Sequence, residues 1–139
     1  MATNKIFEED ARTNRARVVP SGTKSGDFLI VGGVPCVAIT DRGDAQRTFD
    51  LGPIGEITVP SGGASLASNE ATVATTGTWE LPVVGAGNST GQGVEVFWDD
   101  TKKELTLTGT GNTAVGVTDY PIDYARTDGI APVRIGAPN

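Results

Sequence analysis

The spacing of glycine and proline constrains this chain more than any other feature. Only three stretches longer than ten residues lack both residue types: 1–19, 64–76 and 94–108. Because glycine and proline disfavour helix interiors, only these stretches could hold a helix of average length. The second is rich in Ala, Ser and Thr, and the third alternates apolar and polar residues at a period of two, so neither is typical of an amphipathic helix. The sequence therefore predicts an all-β protein.

Short apolar runs bounded by turn residues predict the individual strands. In 94–108, Val94, Val96 and Trp98 share one face, a polar turn follows at 99–103, and Leu105 resumes the pattern, which predicts a hairpin. Six further strands are predicted at 27–31, 34–39, 54–59, 78–81, 113–117 and 131–135. Because open sheet edges favour aggregation, we expect a small, Gly-rich β-barrel-like domain whose sheet is closed or nearly closed.

The N-terminal segment differs from the rest of the chain in charge. Residues 1–20 carry four cations and three anions (net +1), whereas the remainder carries seven and fourteen (net −7). Ile6 and Phe7 are the only large apolar residues before Val18, too few for the segment to become ordered by itself. We therefore predict an extended N-terminal arm at 1–19 and a single β domain at 20–139, and we expect the domain to fold without residues 2–17. A frayed terminus is the alternative interpretation.

Composition argues against several functions. The chain has no histidine, which removes the commonest general base and most zinc sites, so we expect no catalytic residues, no metal and no cofactor. A net charge of −6 disfavours nucleic-acid binding. No run approaches 18 apolar residues and the first ten resemble no secretory signal, so we expect no membrane contact and an intracellular site of synthesis. The single cysteine, Cys36, lies in an apolar run and is predicted to be buried.

Three patterns have both a functional and a structural interpretation. The glycines at 109–114 imitate a dinucleotide-binding fingerprint, but a strand rather than a helix follows, so a hairpin loop is favoured. The segment Asp41 to Asp44 resembles a calcium loop in its scattered Asp residues, but it lacks the spacing of one and is predicted to be a charged turn. Trp79, Phe97 and Trp98 lie in predicted strands, where core packing is favoured over a sugar-binding platform. A hydrolase that uses neighbouring carboxylates is a further alternative, with perturbed acids in a cleft as its expected mark.

Three short motifs carry a family resemblance. Residues 77–82 are GTWELP, residues 93–99 are GVEVFWD and residues 111–116 are GNTAVG. Together they resemble the phage capsid cement family, whose members decorate the heads of tailed phages. The resemblance implies a β-barrel-like or β-tulip fold, homotrimers near threefold positions of the capsid, and no enzymatic activity. It also implies that the matching positions determine the fold: Trp79, Pro82, Trp98, Asp99, Gly111, Asn112 and Gly116.

The resemblance leads to a specific functional hypothesis. We expect a protein made in the cytoplasm of a host bacterium that binds the outer surface of a tailed-phage head and stabilises it by bridging major capsid protein subunits. We expect the arm to contact the capsid through Ile6, Phe7, Arg12, Arg15 and Arg17. The alternative is a carbohydrate-binding or adhesive β module of a phage or bacterial surface structure. The arginine-bearing arm and the segment 52–68 depart from the usual pattern of the family.

Overall fold

A computed structural model describes residues 5–7, 14–63 and 65–136 of the chain, with the backbone alone for 5–7. These residues form twelve strands and no α-helix, which confirms the all-β prediction. The strands are β1 Lys5–Phe7, β2 Arg15–Val18, β3 Phe28–Val31, β4 Val34–Ala38, β5 Gln46–Asp50, β6 Glu56–Pro60, β7 Glu70–Ala74, β8 Thr78–Val84, β9 Glu95–Asp99, β10 Glu104–Thr106, β11 Thr113–Thr118 and β12 Ile130–Ile135.

Five strands close into a barrel in the order β8, β10, β9, β11, β12, and pairing of β12 with β8 completes the circle. All pairs in the barrel are antiparallel except β8 with β10, which run parallel. The barrel interior is filled by Trp79, Leu81, Val83, Val96 and Val133, each at most 1% exposed. Closure leaves the barrel without a free edge over most of its circumference, as the sequence analysis predicted.

The predicted strand at 78–81 is too short, because β8 continues through Pro82 to Val84. Val83 donates its N–H to the carbonyl of Gly129 on the β12 side. Successive residues of a strand point their N–H groups to opposite edges, so the nitrogen of Pro82 faces the other edge. On that edge β1 pairs with residues 78 and 79, and β10 with residues 83 and 84. Pro82 therefore lies between the segments of β8 that pair with β1 and with β10, where its missing N–H removes no hydrogen bond of the sheet.

A second antiparallel sheet, in the order β2, β7, β4, β3, forms a half-barrel against the closed barrel. One face buries Val37 and Ala74 against the barrel core, with Phe28 and Ile30 packed beside them. The opposite face holds a smaller apolar cluster of Val19, Cys36, Ala71 and Val73. The sheet is thus apolar on both faces, and only one of them is covered by the barrel.

Strands β5 and β6 form a separate antiparallel hairpin with a 3₁₀ turn at Gly52–Ile54. The predicted strand at 54–59 corresponds to β6, whereas β5 has no counterpart in the sequence analysis. Every residue of β5 is exposed. A strand that buries neither face needs no alternation of apolar and polar residues, which removes the main signal by which a sequence reveals a strand.

The last part of the N-terminal arm is a strand of the second sheet. Residues 15–18 form β2 and pair in register with β7, from Arg15 opposite Val73 to Val18 opposite Glu70. The backbone of Ile6 and Phe7 lies in β1, which pairs with the start of β8. Arg12 lies outside the described residues. The arm is therefore connected to both sheets of the domain by backbone hydrogen bonds.

Candidate functional site

The two tryptophans of the family motifs occupy different environments. Trp79 is 1% exposed and donates its indole N–H to the carbonyl of Thr76 at 3.0 Å. Trp98 is half-buried, packs against the barrel core, and lies 5.3 Å from Phe28, ring centre to ring centre. Because only Trp98 reaches the surface, it alone of the two could contact a ligand or partner.

Four other motif residues sit in turns or at tight backbone contacts. Asp99 accepts hydrogen bonds from the backbone N–H groups of the next turn, at residues 101 and 102. Gly111 has φ +76°, a conformation that favours glycine, and Asn112 donates its amide N–H to the carbonyl of Thr108 at 2.9 Å. A Cβ at Gly116 would lie 2.3 Å from the carbonyl oxygen of Arg134 in β12. Three of these residues thus contact the backbone of turns or of strand β12, and their role as fold determinants stays a prediction.

Strand β2 carries the two arginines of the predicted capsid-binding arm that the structure describes. Arg15 is exposed and Arg17 is half-buried. Through the pairing of β2 with β7 and of β7 with β4, both arginines lie on the outer face of the sheet, the face of Cys36. Burial raises the pKa of Cys36 to about 11, although the positive charge of Arg17 acts in the opposite direction. Little of this thiol is therefore ionised at physiological pH, which predicts low reactivity toward thiol reagents.

The base of the β5–β6 hairpin is held by a buried carboxylate. Asp41 is 3% exposed and accepts hydrogen bonds from the backbone N–H of Ser25 at 2.8 Å, the hydroxyl of Ser61 at 3.0 Å and the guanidinium of Arg47 at 3.0 Å. Burial alone would raise the pKa of Asp41, but these hydrogen bonds and the charge of Arg47 together lower it below its ordinary value. Asp41 thus joins β5, the end of β6 and the loop before β3.

Comparison with known proteins identifies the family. The family model described as phage cement protein matches residues 9–134. The chain belongs to the phage cement protein family. Neither the search of curated proteins nor the search of solved structures returned a match. The match extends over both sheets and the hairpin of this cement protein, so family membership applies to the whole described domain from β2 to β12.

The hairpin of this cement protein presents an exposed apolar surface. We define the apolar hairpin surface as Phe49, Leu51, Ile54 and Ile57, whose exposed fractions are 51%, 46%, 85% and 46%. Phe49 and Ile57 are register partners, so their side chains lie side by side on one face. The segment 52–68 departs from the family pattern, and nothing in the sequence assigns it a role. The sequence could not predict that the apolar residues of the hairpin are exposed, because their exposure depends on how the hairpin lies relative to the rest of the domain.

A groove lies between the second sheet and the barrel of the cement protein. Its volume is about 1070 Å³, and Phe28, Pro35, Trp98 and Leu105 line its apolar part. Asp27, Asp100, Lys103 and Glu104 line its polar part. The groove contains Trp98, the one motif tryptophan that reaches the surface, which makes it the second candidate contact site.

Within the described part of the chain, no three Asp, Glu or Cys side chains come together in a way that could hold a metal ion. In the same residues there is no helix of the length and apolar character needed to cross a membrane.

Tyr124 donates its hydroxyl to Glu80 at 2.7 Å, and burial together with this bond raises the pKa of Tyr124 above its ordinary value.

Proposed function

We propose that this cement protein binds the outer surface of a tailed-phage head, where it stabilises the capsid by bridging neighbouring major capsid protein subunits. It acts as a homotrimer, is made in the cytoplasm of the host bacterium and catalyses no reaction. The observation that carries the proposal is the match to the phage cement family across residues 9–134. Membership of that family implies a place on the capsid, and the partner, the contacts and the stoichiometry are our proposals.

The arm, including its strand β2, forms the contact with the coat protein. No acidic residue occurs from 11 to 26, in a chain whose net charge is −6. Arg15 and Arg17 project from an edge strand on the outer face of the second sheet, where they can pair with carboxylates of a coat subunit. Arg12 adds a third cation to the segment, and Ile6 and Phe7 supply its apolar contacts. Arginine suits this role because its guanidinium forms bidentate pairs with carboxylates.

Three linked copies explain how such a contact can bridge subunits. Once one arm of a trimer is bound, the other two are held near neighbouring coat subunits at high effective concentration. A weak contact at each arm therefore gives strong attachment of the trimer as a whole. Ordering an arm on the coat costs a few kcal/mol, which each contact must exceed.

A head-binding assay tests the proposal. Purified protein is added to phage heads that lack it, and the bound fraction is measured by co-sedimentation at increasing salt. The variant Arg15→Gln/Arg17→Gln removes two positive charges from β2, and we expect its affinity for heads to fall about tenfold or more. The matched control, Lys102→Gln/Arg134→Gln, removes two exposed charges from the turn after β9 and from β12, outside the groove, and should bind like the wild type.

Two results would contradict the proposal. Failure of the wild-type protein to sediment with heads would contradict capsid binding itself. Equal binding of both double variants, with unchanged melting temperatures, would be consistent with capsid binding but would contradict the proposed role of β2. Cemented heads should also resist heating better than bare heads, which is measured by the temperature at which DNA is released.

The groove supports a second candidate function, that of a carbohydrate-binding module. Trp98 and Phe28 form an aromatic pair at its wall, and carboxylates stand beside them, a combination used to stack and hydrogen-bond sugars. The variant Trp79→Phe leaves Trp98 as the only indole, so glycans can be titrated while its fluorescence is recorded. Saturable quenching would favour a carbohydrate-binding function of the groove. An unchanged spectrum across a glycan panel would leave capsid binding as the only supported function.

A further inference from the structure

The β5–β6 hairpin has one apolar and one polar face. Register partners share a face, and faces alternate along a strand. Phe49 with Ile57 and Arg47 with Val59 therefore lie on one face, whereas Thr48 with Thr58 and Asp50 with Glu56 lie on the other. This division is the pattern of a strand pair with one side packed and one side in water.

No other described part of the chain covers the apolar face. Phe49 and Ile57 are about half exposed, and Ile54 at the turn is 85% exposed. An isolated two-stranded hairpin is at best marginally stable in water and needs a third strand or a packing partner. Clustered apolar side chains on a projecting element mark an interaction site.

The base of the hairpin is bonded to the body of the protein. Asp41 is bonded to Arg47 at the start of β5 and to Ser61 just after β6. At the same place Gly62 approaches the backbone of Gly43 so closely that a Cβ on Gly62 would lie 2.5 Å from that carbonyl oxygen. A surface held in this way loses little conformational freedom when it is covered.

The charge distribution on the hairpin suits a second copy of the chain as the occupant. Two molecules of net charge −6 repel each other, so copies can meet closely only through a surface with little charge of its own. On the apolar face the only charged side chain is Arg47, and the carboxylate of Asp41 neutralises it. Asp50 and Glu56, which would repel their counterparts in another copy, lie on the opposite face.

We propose that the apolar hairpin surface packs against the same surface of other copies of this chain and holds the homo-oligomer together, with Asp50 and Glu56 facing outward. The inference deepens the proposed function and rests on its homotrimer. The arms remain free to contact the capsid, because β2 belongs to a different sheet from the hairpin.

The first test measures the mass of the protein in solution by light scattering between about 1 and 100 μM. The variant Phe49→Thr/Ile57→Thr places a residue with high β propensity at both positions but removes most of the apolar surface. We expect it to weaken self-association roughly 100-fold, about tenfold for each truncated anchor. The matched control, Val84→Thr/Ile122→Thr, removes two apolar side chains of the barrel and its loop that are at least as exposed as the tested pair, and should associate like the wild type.

The second test is a cross-link at the hairpin turn. The thiol of Cys36 is buried, so a cysteine at Ile54 is the only reactive one in the variant Ile54→Cys. A short bis-maleimide should join copies of this variant both in solution and on heads, and should not join copies of the control Ile122→Cys. Equal cross-linking of the two variants, or none at Ile54→Cys, would overturn the proposal.

The two tests separate failure of this inference from failure of the proposed function. If Phe49→Thr/Ile57→Thr keeps the wild-type mass, another surface holds the copies and the inference is wrong, whatever the head-binding result. If that variant keeps its mass but loses head binding, the hairpin contacts the coat instead, which also overturns the inference. If no variant or wild-type protein binds heads, the proposed function fails, while mass and cross-linking still decide whether the hairpin joins copies.

Discussion

The guanidinium of Arg47 lies 3.0 Å from the carboxylate of Asp41, and the two residues differ sharply in exposure, at 56% and 3%. This pair joins the first strand of the projecting hairpin to the body of the protein. The ion pair is asymmetric: the buried carboxylate depends on its hydrogen bonds, whereas the exposed guanidinium is solvated with or without a partner.

The variant Asp41→Asn should lower the free energy of unfolding by about 1–3 kcal/mol, because it weakens three hydrogen bonds to a buried acceptor. The control Asp44→Asn changes a carboxylate that is 48% exposed and should change the stability by less than about 0.5 kcal/mol. Urea unfolding followed by circular dichroism measures both. Equal effects of the two variants would show that Asp41 does not hold the base of the hairpin.

The same residue predicts how stability depends on pH. The pKa of Asp41 is lower in the folded protein than in the unfolded protein, where it is about 3.9. Its stabilising effect is therefore fully present above that value and is lost as pH falls through the folded-state pKa. Melting temperatures of the wild type and Asp41→Asn should differ by a constant amount from pH 7 to 5 and converge below pH 4. A constant difference down to pH 2 would contradict the assignment.

Cys36 should resist thiol reagents in the native protein. Its thiol is 1% exposed, and burial raises its pKa to about 11, so little thiolate is present at pH 8. Labelling with a chromogenic disulfide should take place only at the rate of unfolding and become rapid in denaturant. Rapid labelling of the native protein would show that the outer face of the second sheet opens without global unfolding.

Gly116→Ala should be strongly destabilising. The new Cβ would lie 2.3 Å from a backbone oxygen of β12, which cannot move without breaking the β11–β12 pairing, so we expect a loss of about 2 kcal/mol or more, or a failure to fold. The control Gly91→Ala places its Cβ at 3.6 Å from a Val94 methyl group, an ordinary contact, and should melt like the wild type. Similar melting temperatures for the two variants would contradict the tight approach.

Two truncations should separate attachment from folding. Removing residues 2–12 keeps β2, whereas removing 2–17 takes most of it and leaves β7 without that partner. We expect the shorter deletion to melt closer to the wild-type temperature than the longer one, and both to bind heads weakly. If the shorter truncation occupies heads like the full-length protein, the attachment lies in β2 or the β body, and the first twelve residues are an ordinary frayed terminus.

The local sequence determined the fold class and most strand positions. Glycine and proline excluded long helices, and runs such as 34–39 and 113–117 alternate or concentrate apolar residues wherever a strand buries at least one face. Trp98 and Leu105 face each other across the predicted hairpin as the spacing required. The motifs at 77–82, 93–99 and 111–116 indicated the family, because they combine residues needed at specific turns and tight contacts.

Only the tertiary structure decided which surfaces are available for binding. The two tryptophans are equivalent in the sequence, and barrel closure buries Trp79 while leaving Trp98 beside a groove. The run Asp41 to Asp44 has the composition of a solvated turn, yet packing buries Asp41 as the anchor of a hairpin. Strand β5 carries a single large apolar residue, Phe49, which is too little alternation for the sequence to reveal a strand. Burial depends on contacts between residues distant in sequence, and no local pattern records those contacts.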